Sequence, residues 1–144
     1  MPSGRRRSQP EPPGPVFFLD RGLGVKYVAE VIRAAGFVAL PMVEVYPGGA
    51  DQTISDPEWI RRASDENWIA LTKDYSIIRD HAAELEASTL RVFALNNANI
   101  TGFEMADRYQ RNIHRIIQHA RKPGPYVYVV TATALELRWP TAKP

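Results

Sequence analysis

Short apolar runs alternate with segments of helical periodicity along most of the chain, and this alternation restricts the fold more than any other feature. The runs occupy residues 16–19, 37–40, 68–72, 91–95 and 126–131. The segments between them repeat apolar residues at the spacing of amphipathic helices, as Tyr27, Val28, Val31 and Ile32 do. Strands that alternate with helices predict an α/β fold, a three-layer α/β/α sandwich around a mostly parallel sheet. A last run at 135–139 follows so closely that it predicts an antiparallel edge pair.

Local signals predict where several helices begin and end. Gly36 is expected to stop the first helix. Asp56, directly before Pro57, is predicted to be the N-cap at which another helix begins. Residues 75–87 are expected to form one continuous helix. Thr101 and Glu104 have the spacing of a capping box, which opens a long helix. The Pro- and Gly-containing stretch 41–55 is expected to be a loop or irregular extension.

Composition places the chain among single-domain proteins outside the membrane. Its 144 residues include no cysteine, which excludes disulfides, thiolate metal sites and a cysteine nucleophile. No run approaches the length of a membrane span and no signal-peptide pattern occurs, so we expect a cytoplasmic protein. Residues 1–15 hold five prolines and three arginines and are expected to be a disordered tail, with one domain over 16–144. This tail accounts for the net charge of +2, because the rest of the chain is neutral.

Three aspartates come at positions that the predicted fold brings to one edge of the sheet. Asp20 and Asp74 each follow an apolar run, and Asp56 begins the helix after the second strand. In open α/β sheets, ligands bind beyond the carboxyl ends of the strands. Three converging carboxylates repel one another unless a cation neutralises them, and oxygen ligands suit Mg²⁺ or Mn²⁺. Asp56 and Asp74 also fit a purely structural role as helix caps, and Asp20 fits a turn residue.

The residues around these aspartates resemble PIN-like nuclease domains, in particular the VapC-type toxins. The matching motifs are Phe17-Phe18-Leu19-Asp20-Arg21, Asp56-Pro57-Glu58-Trp59-Ile60, Ile69-Ala70-Leu71-Thr72-Lys73-Asp74, Asn99-Ile100-Thr101-Gly102-Phe103-Glu104-Met105 and Pro123-Gly124-Pro125-Tyr126. The resemblance implies an endoribonuclease that hydrolyses RNA phosphodiesters with water activated by Mg²⁺ or Mn²⁺. It also implies an antitoxin partner, is compatible with a homodimer, and assigns Asp20, Asp56 and Asp74 as catalytic metal ligands.

One departure from the family pattern keeps a second function open. The strand 91–95 is followed by Asn96 and Asn97 where the family has a fourth acid, and Glu44, Asp51 and Glu58 are weaker candidates for that place. The alternative is therefore a catalytically impaired PIN-like module that binds RNA or protein. A receiver-like phosphoacceptor ranks last, because it lacks the early pair of adjacent acids.

Two further groups of residues carry weaker hypotheses. Lys73 or Thr72 is a candidate for positioning phosphate. A basic face on the long helix fits a phosphate track, but fits a solvated surface better; its residues are Arg108, Arg111, Arg115 and Lys122. The three histidines show no metal-binding spacing, and no nucleotide-binding glycine motif occurs.

Overall fold

The structure, a computed structural model, describes residues 14–96 and 99–140. A six-stranded sheet forms the centre of this part of the chain. The strands are β1 (Val16–Leu19), β2 (Val38–Pro41), β3 (Ile69–Thr72), β4 (Arg91–Leu95), β5 (Tyr126–Val130) and β6 (Leu135–Trp139). Their order is β2-β1-β3-β4-β5-β6. The first five are parallel and β6 pairs antiparallel with β5, as the sequence predicts. The predicted tail lies outside the described residues, except for residues 14 and 15.

Helices cover both faces of this sheet. They are α1 (Tyr27–Ala34), α2 (Met42–Val45), α3 (Asp56–Asp65), α4 (Ser76–Asp80), α5 (Ala82–Glu86) and α6 (Gly102–His119), with 3-10 turns at Arg21–Leu23 and Ala50–Gln52. The capping box at the start of α6 is present, since Thr101 Oγ1 accepts from Glu104 N at 3.1 Å. Among the described residues no helix is long and apolar enough to cross a membrane.

Alternate residues of the strands enter two separate hydrophobic clusters, one on each face of the sheet. Phe17 and Leu19 of β1 pack in the cluster that contains α1 and α6. Phe18, between them, packs on the other face against Trp59 of α3, with ring centroids 5.2 Å apart. Successive side chains of a strand point to opposite faces, so both faces of a central strand must be apolar. The three-layer α/β/α prediction is confirmed.

Three local predictions are wrong in detail. Residues 75–87 form two short helices, α4 and α5, because the backbone at His81 is not helical (φ −138°, ψ 38°). Ser55 caps α3 in place of Asp56: its hydroxyl accepts from Glu58 N at 3.3 Å, and Asp56 becomes the first helical residue. The predicted irregular stretch 41–55 includes the end of β2, the short helix α2 and a 3-10 turn.

A glycine at the approach to β5 is required by space. A Cβ atom on Gly124 would lie 2.5 Å from the carbonyl oxygen of Thr89 and 2.7 Å from that of Leu90. Backbone atoms cannot move aside as a side chain can, so we expect Gly124→Ala to lower the free energy of unfolding by about 1–3 kcal/mol. Urea denaturation measures this loss. Gly14→Ala is the control, since a Cβ there meets nothing within 4 Å; equal midpoints for the two variants would contradict the prediction.

Candidate metal-binding active site

The fold brings the three predicted aspartates to one small cleft at the carboxyl edge of the sheet. Strands β1 and β3 are parallel neighbours, with Leu19 opposite Leu71, so Asp20 and Asp74 leave the sheet side by side. The backbone N–H of Asp20 continues this pairing and donates to the carbonyl of Leu71 at 3.1 Å. The cleft measures about 90 Å³, and the residues that line it are Asp20, Asp56, Trp59, Thr72, Lys73, Asp74, Ser76, Ile77 and Asp80.

Asp20 has the most perturbed carboxyl group of the cleft. Burial, together with the charges of Asp56 and Asp74, raises its pKa to about 6. The hydrogen bond from Arg21 N to Asp20 Oδ1, 2.6 Å long, and the charge of Arg21 act in the opposite direction. The charges of Asp56 and Asp74 are therefore close enough to act on the Asp20 carboxyl group. Such a site favours a cation, because a cation removes the repulsion that the protein leaves uncompensated.

Asp56 is held in the cleft by two side chains. The indole N–H of Trp59 donates to Asp56 Oδ1 at 2.9 Å, and His81 Nε2 lies 3.0 Å from Asp56 Oδ2. Trp59 is itself buried in the core, where it stacks on Phe18. Both carboxylate oxygens are therefore oriented by neighbours, although Asp56 does not cap its helix.

Asp74 combines the structural and the proposed ligand role. Its Oδ1 accepts from Ser76 N at 2.8 Å, which satisfies an N–H at the start of α4. The buried Thr72 hydroxyl donates to the backbone carbonyl of Asp74 at 2.6 Å and fixes the turn between β3 and this helix. The hydroxyl of Tyr109, on α6, lies within hydrogen-bond distance of the carbonyls of Thr72 (3.0 Å) and Phe93 (2.8 Å), and so ties α6 to the end of β3 and to the middle of β4.

The three carboxylates are the type of ligand that a hard divalent cation prefers, but they are not yet arranged around a single point. Three carboxylates supply the oxygen ligands that Mg²⁺ and Mn²⁺ prefer. Among residues 14–96 and 99–140, however, no group of three His, Cys, Asp or Glu side chains is already gathered so that it could hold one ion. A cation would therefore have to draw the carboxylates of Asp20, Asp56 and Asp74 closer together than their present hydrogen bonds hold them.

The acids considered for the fourth position lie away from the cleft lining. Glu44 pairs with Arg33 at 3.3 Å, Glu58 pairs with Arg61 at 2.5 Å, and the buried Asp51 accepts from Gln52 Nε2 at 2.9 Å. Of the two asparagines after β4, Asn96 accepts from Arg108, and Asn97 lies outside the described residues.

Sequence reasoning missed two residues of the site, Asp80 and His81. Asp80 lines the cleft and pairs with Arg79 at 2.8 Å, and His81 contacts Asp56 as described above. A continuous helix over 75–87 gave no reason to select either residue. The break between α4 and α5, which places them here, has no glycine or proline to signal it.

The basic residues predicted for one face of the long helix have partners within the protein, and Lys122 lies beyond the end of α6 at His119. Arg108 donates to Asn96, and Arg111 pairs with Asp107 at 2.8 Å. Arg115 donates to Asn112 Oδ1 at 3.1 Å, and Lys122 donates to the Tyr128 hydroxyl at 2.8 Å. These contacts agree with a solvated helix face rather than with a phosphate track.

Comparison with known proteins shows the family to which the chain belongs. Residues 15–97, more than half of the chain, match the family model described as PIN like domain, so the chain belongs to the PIN-like domain family. It is 35% identical over 116 residues to the Mycobacterium tuberculosis protein named "Putative ribonuclease VapC45", an alignment that covers 78% of this chain and 83% of that protein. The resemblance to the VapC-type branch is thereby confirmed. No solved structure matches the chain significantly.

Proposed function

We propose that this protein is an endoribonuclease that depends on Mg²⁺ or Mn²⁺ and serves as the toxin of a toxin–antitoxin pair. Membership of the PIN-like family and the name of the M. tuberculosis relative support the class of activity and the antitoxin partner. The single observation that carries the proposal is the shared cleft of Asp20, Asp56 and Asp74, in which burial and two neighbouring charges raise the pKa of Asp20 to about 6.

In this proposal the protein's own residues prepare a site for one cation and one phosphodiester. Asp20, Asp56 and Asp74 would hold the metal ion, while Trp59 and His81 keep the Asp56 carboxylate oriented. When bound, the metal would supply a water that is acidic enough to ionise near neutral pH and would offset charge at the scissile phosphate. The cation would also take the place of the proton that the raised pKa of Asp20 favours in its absence.

A purified sample tests the proposal with single-stranded RNA. We expect cleavage in Mg²⁺ or Mn²⁺, none in EDTA, and products that carry a 5′-phosphate and a 3′-hydroxyl, which sequencing of the ends detects. Equal cleavage in EDTA would contradict the metal dependence, and other end groups would contradict the proposed hydrolysis.

A catalytically impaired RNA-binding module is the second candidate. The observation that favours it is the absence, among the described residues, of three metal-binding side chains already gathered around one point. Binding of RNA without cleavage in either metal would support this candidate and exclude the first.

A further inference from the structure

We propose that Lys73 binds a backbone phosphate of the RNA substrate, and that Gly22 is a glycine because it leaves room for the Lys73 stem beside the turn that follows Asp20. The inference rests on the proposed function and specifies which group of the cleft recognises the substrate. It involves binding only and no covalent step.

Lys73 lies between the end of β3 and Asp74, and its stem crosses the turn that follows Asp20. A Cβ atom placed on Gly22 would be 3.0 Å from both Cβ and Cδ of Lys73. The stem therefore packs directly on the Gly22 backbone, in the 3-10 turn Arg21–Leu23. This packing fixes the direction of a long, flexible side chain that lines the cleft together with the three aspartates.

The ammonium group of Lys73 is uncommitted, although three carboxylates line the same cleft. Within the part of the chain that the structure describes, Lys73 has no ion pair and no hydrogen bond. The neighbouring cations are engaged: Arg21 donates to the backbone carbonyls of Asp51 and Ile54, and Arg79 pairs with Asp80. A lysine that served to neutralise the aspartates would be expected within ion-pair distance of one of them. Lys73 is instead available to an external anion.

A phosphate is the anion that the surroundings favour. RNA presents one negative charge per nucleotide, and a strand bound at the cleft must approach carboxylates that repel it. A lysine on the lining of the same cleft can supply a compensating positive charge, and lysine commonly binds phosphate as a point charge. Thr72, the other candidate for this role, is excluded because its buried hydroxyl already donates to the carbonyl of Asp74.

The test measures the affinity of the full chain for a short fluorescein-labelled single-stranded RNA in EDTA, by fluorescence anisotropy at several salt concentrations. Removal of one lysine–phosphate pair is expected to reduce the slope of log affinity against log salt by about 0.7. We expect Lys73→Met to weaken binding several-fold with this change of slope, and Lys73→Arg to keep most of the affinity. Arg121→Met is the control: it removes the same charge from an exposed residue at the opposite, amino-end edge of the sheet.

Gly22→Ala tests the second half of the proposal without removing any charge. The backbone at Gly22 is not in the left-handed region, and the three atoms nearest to an added Cβ all belong to Lys73, so alanine there acts first on the Lys73 side chain. We expect Gly22→Ala to weaken RNA binding in the same direction as Lys73→Met, and the double variant to be no weaker than Lys73→Met alone. Additive losses would show that Gly22 acts independently of Lys73.

Cleavage kinetics in Mg²⁺ separate substrate binding from an effect on the metal site. Removal of a phosphate interaction that is equally strong before and during reaction raises KM and leaves kcat nearly unchanged. If Lys73→Met instead changes the Mg²⁺ concentration needed for cleavage, while RNA affinity and its salt slope stay as in the wild type, Lys73 neutralises the aspartates and the proposal is wrong.

The outcomes distinguish this inference from the proposed function. If the wild type binds and cleaves RNA while Lys73→Met matches it in slope and KM, the inference fails and the proposed function stands. If Arg121→Met loses as much slope as Lys73→Met, the interaction is not local and the inference fails. If the wild type neither binds nor cleaves RNA, both fail.

Discussion

Asp20→Asn and Asp74→Asn are each expected to lower the rate of Mg²⁺-dependent RNA cleavage by at least about 100-fold, because even the residues that orient metal ligands cost 10–100-fold when mutated. Asparagine keeps an Oδ1 atom that can accept from Arg21 N or from Ser76 N, the bonds that the two aspartates make now. The variants therefore lose a charge but not a cap. Initial rates of cleavage measure the effect.

The matched controls separate the ligand role from the structural one. Asp65→Asn removes an exposed carboxylate at the far end of α3 and is expected to leave cleavage unchanged. Asp74→Ala is expected to be less stable than Asp74→Asn by about 1 kcal/mol, since alanine cannot accept the hydrogen bond from Ser76 N. Wild-type cleavage rates in both Asn variants would show that the nuclease site is not the cleft described above.

Without divalent metal, the Asp20 carboxyl group is expected to lower the stability of the protein as the pH rises from about 4 to above 6. The folded-state pKa of Asp20 is about 6, against an ordinary value of 3.8. The folded state therefore binds a proton more tightly than the unfolded state, so the stabilisation is complete below pH 4 and is lost as pH rises through 6. A shift of this size corresponds to about 3 kcal/mol at most. Chemical denaturation at several pH values measures the loss.

Asp20→Asn isolates the contribution of this carboxyl group, because asparagine does not ionise. The variant is expected to be more stable than the wild type above pH 6, by up to the same amount of about 3 kcal/mol, and equal to it below pH 4. Added Mg²⁺ is expected to stabilise the wild type and so reduce the difference in stability between the wild type and Asp20→Asn. A constant difference between the two proteins at every pH would contradict the burial and repulsion assigned to Asp20.

The sheet and the main helices could be predicted because their signals are local. The run 16–19 is apolar at every position, and the pair Thr101 and Glu104 has a capping mechanism of its own. The choice of Ser55 over Asp56 as the cap of α3 could not be predicted, since Asp56 is drawn to Trp59 and His81, its partners in the folded protein.

The sequence predicts those residues of the candidate site that directly follow a strand. Asp20 and Asp74 each follow an apolar run, but their proximity depends on the order of the strands, which places β1 beside β3. Asp80 and His81 join the site through the break between α4 and α5, where the helical spacing of the sequence continues. That Lys73 forms no ion pair with any residue the structure describes depends on the distances between side chains in the folded protein, and no pattern in the sequence gives those distances.

Calorimetric titration of the metal-free protein with Mn²⁺ tests the central claim most directly, namely that Asp20, Asp56 and Asp74 together hold a divalent cation. We expect the wild type and Asp65→Asn to bind Mn²⁺ with equal affinity, and Asp20→Asn and Asp74→Asn to bind it at least about 10–100-fold more weakly. Equal Mn²⁺ affinity in all four proteins, or none in the wild type, would contradict the claim.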